Sequence, residues 1–140
     1  MLKVNRLFFY LLIVATNAFS QYLLRLPADN LSKLEAPVVS HARIIGDDVF
    51  LFVQDRQFFE DSHLPFTLID ADPFFNDYYV VEHHFDTVRA EDLAPNTIVW
   101  SEGQYAIVKA HQLRSLVDLP YQYDFYKLDF SAEQQPQRAI

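Results

Sequence analysis

One short phrase occurs twice in this chain, and its repetition constrains the fold more than any other feature. The sequence LPF at residues 64–66 returns as LPY at residues 119–121, so the two Leu-Pro pairs lie 55 residues apart. Aligned on these pairs, residues 48–70 match residues 103–125 without a gap, and many apolar positions coincide. The repetition predicts two tandem copies of one folding unit.

Each copy predicts a strand, a short helix and a second strand. The apolar runs 49–53 and 105–108 have the length and the β-branched and aromatic content of strands covered on their inner face. In the second copy, Leu113, Leu116 and Val117 lie on one face of a helix. A proline then ends each helix because it cannot continue the hydrogen bonding, and the aromatic residue after it is predicted to begin the next strand.

The match extends upstream of these segments. Residues 22–45 parallel residues 78–100, and each stretch predicts a strand, a short helix and a strand. Hairpin turns are expected at residues 46–48 and 101–103, which are rich in turn-forming residues. The predicted N-caps are aspartates, whose short side chains can accept hydrogen bonds from free backbone N–H groups. They are Asp29, Asp55 and Asp86, with Leu31 and Leu34, Phe58 and Phe59, and Val88 and Leu93 as the buried sides.

Each half thereby becomes β-α-β-β-α-β, the ferredoxin-like order, with a four-stranded antiparallel sheet and two helices on one face. The predicted class is α+β, with two tandem modules at residues 21–73 and 74–131. The segment ADPFFND at 71–77 links them, and a polar tail or linker follows at 132–140. Modules of about 50 residues are marginal alone, so the halves are expected to pack on each other through their aromatic residues.

The N-terminus has the layout of a cleaved secretory signal peptide. Lys3 and Arg6 precede an apolar run at residues 7–15, and the small residues Ala18 and Ser20 follow. The run is too short to cross a bilayer, which takes roughly 20 residues as a helix. We therefore expect cleavage after Ser20 and a secreted or periplasmic mature protein that has no membrane anchor.

The charge and the absence of cysteine exclude several classes of function. Without Lys3 and Arg6, nine basic residues face 19 acidic ones, a formal charge of −10. Such a surface repels phosphate backbones and anionic lipids, so neither nucleic acid nor a membrane surface is expected as a partner. Because the chain has no cysteine, its core and not disulfide bonds must hold an exported fold together.

Two clusters contain metal-ligand residue types, and each has a simpler explanation. Glu82-His83-His84 falls in a predicted strand, where neighbouring side chains point to opposite faces and cannot readily share a metal ion. The acidic stretch at residues 70–77 resembles a calcium loop only in charge. It has Phe74 and Phe75 where such a loop needs an oxygen ligand and glycine. No metal or cofactor is expected.

Nucleophilic catalysis and nucleotide binding are also unsupported. Asp61-Ser62-His63 places three triad residue types in a row, whereas triad partners converge from separate segments. Gly46 and Gly103 are the only two glycines, so no phosphate-binding loop is possible. Asn30-Leu31-Ser32 fits the N-glycosylation pattern, which matters only in a host that glycosylates exported chains. No catalytic, cofactor-binding or metal-binding residue is predicted.

Two runs of the sequence resemble the N-terminal pro-region of exported bacterial two-zinc, leucyl-type aminopeptidases. They are DDVFLFVQDRQFFEDSHLPFTLIDADP and GQYAIVKAHQLRSLVDLPYQYDFYKLDF. In that region a strand, a short helix with the pattern x-x-L-x-x-x-x-L-P and a further strand recur before the peptidase domain. The resemblance covers roughly residues 21–130 and includes the signal peptide. The family's zinc ligands and catalytic carboxylate lie in the downstream peptidase domain, and no position here matches them.

The resemblance implies a non-catalytic segment that assists folding of, masks or docks a metallopeptidase domain. An exported protein-interaction module that acts independently of any peptidase is the alternative interpretation. An enzyme in its own right is a third, because fold alone never excludes one. All three leave the partner and the packing of the halves open.

Overall fold

The structure is a computed structural model that describes residues 20–39, 41–54, 56–94, 96–109 and 114–129. Most of the predicted signal peptide, the predicted tail and Asp55 therefore lie outside the described residues. Eight strands are present, four in each half of the described chain. They are β1 (Gln21–Pro27), β2 (Arg43–Ile45), β3 (Asp48–Val53), β4 (Thr67–Asp72), β5 (Tyr78–His83), β6 (Thr97–Glu102), β7 (Tyr105–Lys109) and β8 (Tyr123–Lys127).

The strands form two four-stranded antiparallel sheets, so the chain belongs to the α+β class. The order is β2-β3-β1-β4 in the first sheet and β6-β7-β5-β8 in the second. Each sheet pairs its first strand with its third and fourth, and its second with its third, always antiparallel. The predicted repetition is therefore visible in the pairing, which is the same in both halves.

The helices between the strands are short. They are the 3-10 helix η1 (Ala28–Lys33) and the α-helices α1 (Ala36–Val39), α2 (Arg56–Asp61), α3 (Ala90–Leu93) and α4 (Arg114–Val117). Two predicted N-caps are wrong: the cap of η1 is Pro27 with Asp29 inside the helix, and the cap of α3 is Arg89 and not Asp86. A helix of one turn depends on packing for its stability, so its cap residue is weakly specified by sequence.

Both hairpins turn on a glycine with positive φ, at Gly46 (φ 61°) and Gly103 (φ 58°). Glycine suits these positions because other residues are strained there. The first predicted turn is close to the observed one at residues 46–47. The second is displaced, since Ser101 and Glu102 still belong to β6. The predicted linker is also shorter than expected, because β4 continues through Asp72.

The two sheets pack face to face, and η1, α1, α3 and α4 each contribute a buried or partly buried apolar residue to an outer face. The central strands are buried on both faces, which explains continuous apolar runs such as the one at residues 49–53. Between the sheets, Phe50 packs edge-on against Trp100 with ring centroids 4.9 Å apart, and Phe52 lies 5.1 Å from Tyr78. The expected aromatic contact between the halves is confirmed. The buried residues of this shared inner core are Leu23, Ile45, Phe50, Tyr78, Val80, Ile107 and Leu128.

The outer face of each sheet has its own core. In the first half it includes Leu24, Val49 and Phe66, with Leu31 and Leu34 partly buried against it. In the second half the buried residues are Val81, Leu93, Ala106, Val108, Leu116 and Tyr123. Val117, predicted to share the buried helix face with Leu116, is 63% exposed. The side chains of Phe58 and Phe59 and the whole of Leu113 lie outside the described residues.

The two Leu-Pro joints differ in the position of the residue after the proline. Phe66 is buried in the outer core of the first half. Its aligned partner Tyr121 lies in a turn before β8 and is 84% exposed. Tyr123, two residues later, occupies the outer core of the second half. The prediction that Tyr121 begins the last strand is therefore wrong, because Tyr121 and Gln122 form a turn and β8 begins at Tyr123. Phe66 also lies one residue before its strand, since β4 begins at Thr67.

Candidate functional site

Two exposed aromatic side chains lie at one end of the second sheet, where β5 ends and β8 begins. Phe85 is 78% exposed and Tyr121 is 84% exposed. The strand pairing continues past β5, since the His84 N–H donates to the Gln122 carbonyl at 2.8 Å. Phe85 and Tyr121 are the next residues along these two segments. We call this pair of residues the aromatic end.

A buried histidine organises the turn that carries Phe85. The His83 Nδ1 accepts hydrogen bonds from the backbone N–H groups of Phe85, at 3.1 Å, and Asp86, at 2.9 Å. The His83 ring also packs edge-on against Tyr123 at 4.7 Å between centroids. Because its ring nitrogen is occupied by two backbone donors, His83 is a structural residue that holds Phe85 out in the solvent.

Tyr123 connects this turn to the helix that covers it. Its hydroxyl donates to the Asp92 carboxylate at 2.6 Å and accepts the Arg89 N–H at 3.2 Å. Burial, and then the hydrogen bond to Asp92, raises the pKa of Tyr123 above its ordinary value. The hydroxyl therefore stays protonated near neutral pH and acts as a fixed connector between β8 and α3.

The histidine cluster predicted in β5 does not form a metal site. His83 contacts Tyr123, whereas His84 contacts the neighbouring residue Asp124, with 2.6 Å between Nε2 and Oδ2. Tyr123 and Asp124 point to opposite faces of β8, so the two histidines also lie on opposite faces. Within the described residues there is no group of three or more His, Asp or Glu side chains that could hold a metal ion.

A second polar cluster joins the two sheets at the end where the halves are linked. Asp70 accepts a hydrogen bond from the Tyr78 hydroxyl and an ion pair from the Lys109 ammonium at 2.7 Å. Lys109 also lies 4.0 Å from Asp72. Burial is the main cause of a strongly raised pKa for Tyr78, and the hydrogen bond and charge of Asp70 raise it further. The cluster fixes the β4 edge of the first sheet to β5 and β7.

A third polar contact between the sheets lies at the opposite end, beside the hairpin turns. The Arg25 guanidinium pairs with Asp48 at 2.9 Å and reaches Glu102 of the other sheet at 3.9 Å. The Arg25 Nε is buried without a hydrogen-bond partner. The inner core is thus apolar in the middle, with ion pairs at both ends.

Burial also perturbs two groups on the inner faces of the outermost strands. The pKa of Tyr126 on β8 is raised, first by burial and then by the charge of Glu82. The pKa of Arg43 on β2 is lowered by burial, and the carboxylate of Asp129 opposes that change. The raised pKa of Tyr126 keeps its hydroxyl protonated near neutral pH. Both residues are explained as parts of the interface between the sheets.

The acidic segment at residues 71–77, predicted to be a linker, forms a turn whose hydrogen bonds centre on the Asp72 side chain. The Asp72 side chain accepts the N–H groups of Phe74, at 3.0 Å, and Asn76, and the amide of Asn76 at 3.2 Å. The Gln21 amide adds a further contact to Asp72 at 3.4 Å. These donors occupy the carboxylate oxygens, so the calcium-loop interpretation finds no support in the geometry.

The other two candidate motifs, at residues 61–63 and 30–32, form hydrogen bonds with residues close to them in the sequence. Asp61 accepts the Gln57 amide at 2.8 Å, the Ser62 hydroxyl accepts the Leu64 N–H at 3.3 Å, and His63 is exposed with φ 57°. The three residues are not arranged as a triad. The Asn30 side chain is buried and donates to Asp29 at 2.9 Å, which makes it a poor glycosylation acceptor in the folded chain.

Two of the cavities on the described surface are candidate pockets. One of about 410 Å³ lies on the outer face of the first sheet and includes Leu34, Val38 and Leu64 in its lining. The other, of about 330 Å³, lies beside the linker and includes Phe52, Phe75 and Lys127. Neither places converging polar groups with perturbed pKa values opposite each other, as a catalytic pocket requires.

Sequence reasoning missed the aromatic end and the ion pairs between the sheets. The signal for the first was present, since Phe85 interrupts a polar stretch and Tyr121 follows a proline. Lys109 at the end of an apolar strand was the signal for the second. Only the packing of two sheets shows which charges meet.

Comparison with known proteins returned no match, whether to a family model, a curated protein or a solved structure. Within the described residues, no helix is both long and apolar enough to span a membrane.

Proposed function

We propose that this chain is a non-catalytic protein-docking module that serves an exported two-zinc aminopeptidase as a pro-region or companion. The single observation that carries the docking role is the aromatic end. Leaving a phenylalanine in water forgoes roughly 1.5–3 kcal/mol of burial, and here His83 accepts two hydrogen bonds in the turn that exposes Phe85. A partner that covers Phe85 and Tyr121 recovers that free energy.

The proposal that the partner is a peptidase rests on the sequence resemblance, and the negative charge of the chain is compatible with such a partner. A mature chain of formal charge −10 with exposed aromatic residues at one end suits a partner surface that is apolar at its centre and basic at its margin. Export follows from the predicted signal at residues 1–20. An exported interaction module with another partner protein is the alternative, and the aromatic end supports it equally.

We also propose that each half, residues 21–73 and 74–131, is a ferredoxin-like module with shortened helices. In both sheets the first strand lies between the third and the fourth, and the second pairs with the third. Two β-α-β crossovers joined by a hairpin give this order. A crystal structure with helical turns on the same face at all four crossovers would support the assignment, and extended crossovers would contradict it.

The docking role can be tested with the catalytic domain of an exported two-zinc aminopeptidase of the resembling family. Residues 21–140 are mixed with that domain, and hydrolysis of leucine p-nitroanilide and the refolding yield from urea are measured. We expect slower hydrolysis, a higher refolding yield, or both. An unchanged rate together with an unchanged yield would exclude the peptidase as partner.

Two variants distinguish a specific contribution of the aromatic end from nonspecific hydrophobic binding. The double variant Phe85→Ser with Tyr121→Ser should weaken the effect at least tenfold, because it removes the exposed rings and leaves the buried core intact. Phe74→Ser is the matched control, since Phe74 is 82% exposed but lies in the linker turn before β5. Equal losses in both variants would contradict a specific role for the aromatic end.

A further inference from the structure

The four edge strands that the structure describes are protected to different degrees. An exposed sheet edge is a template for pairing with another chain, and natural proteins block it with short strands and bulges. β2 is only three residues long. β4 and β6 each carry an irregularity, with Ile69 and Val99 as the extra residues. Both of these residues pack against the inner core.

β8 lacks these two forms of protection. It is five residues long, and it pairs with β5 in continuous register from Tyr123 to Lys127. Its proline lies before the strand, at Pro120, and not within it. Lys127 supplies one charge at the C-terminal end, but its ammonium is turned to Asp77 at 3.5 Å. β8 is therefore the most regular edge in the described part of the chain.

The hydrogen bonds flanking β8 show which of its backbone groups face outward. The Leu128 N–H donates to the Tyr78 carbonyl, and the Gln122 carbonyl accepts the His84 N–H, both at 2.8 Å. Backbone groups alternate in direction along a strand, so those of Asp124 and Tyr126 also face β5. The N–H and C=O groups of Phe125 and Lys127 then face away from the sheet.

We propose that the β8 edge accepts an extended, lysine- or arginine-bearing segment of a partner protein, which adds a fifth strand to the second sheet. This proposal rests on the docking role and specifies its chemistry. Added strands gain affinity from main-chain hydrogen bonds and specificity from alternate side chains. The Phe125 and Lys127 groups supply four such bonds. Tyr121 lies just before β8 and would contact the partner strand at one end.

Charge selects a basic segment over a second copy of this chain. The carboxylates of Asp77 and Asp124, with side chains 54% and 71% exposed, and the exposed Asp129 lie beside the edge, and their neighbouring basic side chains are Lys127, His84 and Arg43, respectively. Two copies of residues 21–140, each of formal charge −10, would repel each other on approach, whereas a cationic strand is attracted. Pairing of β8 with β8 of another copy is the competing outcome.

The test uses residues 21–140 labelled with ¹⁵N and a synthetic peptide, acetyl-TKVKVKVKT-amide. Its matched control is acetyl-TEVEVEVET-amide, which has the same backbone and the opposite charge. We expect the lysine peptide to shift the resonances of residues 123–127 and to slow amide hydrogen exchange at Phe125 and Lys127 at least fivefold. The glutamate peptide should bind at least tenfold more weakly.

Two variants isolate the backbone contribution. Lys127→Pro removes one outward N–H without breaking a hydrogen bond to β5, so the fold should persist and peptide binding should fall at least tenfold. Lys127→Ala removes the same side chain and should bind the lysine peptide as well as the original chain or better. If Lys127→Pro does not fold, the test of pairing at the β8 edge is the amide hydrogen exchange of Phe125 and Lys127 in the original chain with the lysine peptide.

Three results would overturn the proposal. Unchanged exchange at Phe125 and Lys127 with saturating lysine peptide would show that the edge does not pair. Equal binding of the two peptides would exclude charge selection. A dimer in sedimentation that Lys127→Pro abolishes would make a second copy the occupant. The effect of the chain on peptidase activity or refolding could also be lost in Phe85→Ser and unchanged in Lys127→Pro. That result would support the docking role and show that the β8 edge takes no part in it.

Discussion

In the first half the residue after Leu64-Pro65 enters the core, whereas in the second half the residue after Leu119-Pro120 stays in the solvent. Phe66 is 9% exposed and Tyr121 is 84% exposed, although they occupy the same place in the repeated phrase. In the second half Tyr123 takes the core position, at 7% exposure. The second half has one more residue between the proline and the strand than the first, so the core position falls on Tyr123 and the Tyr121 side chain is left out of the packing.

The difference extends to the turn that precedes the neighbouring helix. In the first half η1 begins directly after β1, at Ala28. In the second half six residues separate β5 from α3, and they include Phe85 and its hydrogen bonds to His83. The second half therefore concentrates exposed aromatic residues at the end of its sheet. The same topology serves packing alone in one half and supports a candidate docking surface in the other.

The largest expected effect tests this contrast at the Leu-Pro joints. Phe66→Ala should lower the free energy of unfolding by about 3–5 kcal/mol, because it opens a cavity in the outer core. Tyr121→Ala should change it by less than about 0.5 kcal/mol. Urea denaturation followed by Trp100 fluorescence measures both, with Tyr123→Ala as the core counterpart in the second half. A Tyr121→Ala loss comparable to that of Phe66→Ala would contradict the contrast.

A smaller effect tests how firmly the two halves are joined. Lys109→Ala should cost about 2–3 kcal/mol, because it leaves Asp70 and Asp72 without their cation at a largely buried site. Lys127→Ala is the matched control and should cost less than about 0.5 kcal/mol, since its pair with Asp77 is exposed. Both values come from urea unfolding curves. Similar small losses for the two lysines would show that the inner cluster does not hold the sheets together.

The smallest effect is a dependence on alkaline pH. The raised pKa of Tyr78 means that its stabilising contribution is fully present below the ordinary tyrosine pKa of about 10 and is lost as the pH rises above it. At pH 11 the loss should be about 1.4 kcal/mol for this residue. Tyr78→Phe should show a shallower decline in unfolding free energy between pH 9 and 11 than the original chain. Identical declines in the variant and the original chain would contradict the assignment.

The strand pattern could be predicted well because it depends on local periodicity. The apolar runs 49–53 and 105–108 correspond to β3 and β7, and the order of strands and short helices was predictable from the repeat. The N-caps predicted at Asp29 and Asp86 were wrong because packing, and not the local sequence, decides where a one-turn helix begins. The aromatic end was missed because the gapless alignment placed Tyr121 in the role that Tyr123 fills, although the isolated Phe85 and the proline before Tyr121 were visible in the sequence.

The sequence by itself determined that the chain has two related halves, each with strands marked by apolar runs, and that no disulfide supports them. Only the tertiary structure decided that the two sheets share an inner core, that Lys109 meets Asp70 across it, and that Phe85 and Tyr121 remain in the solvent. The physical reason is distance along the chain. Periodicity acts over a few residues, whereas the partner of a buried charge or the cover of an aromatic ring is set by segments tens of residues away.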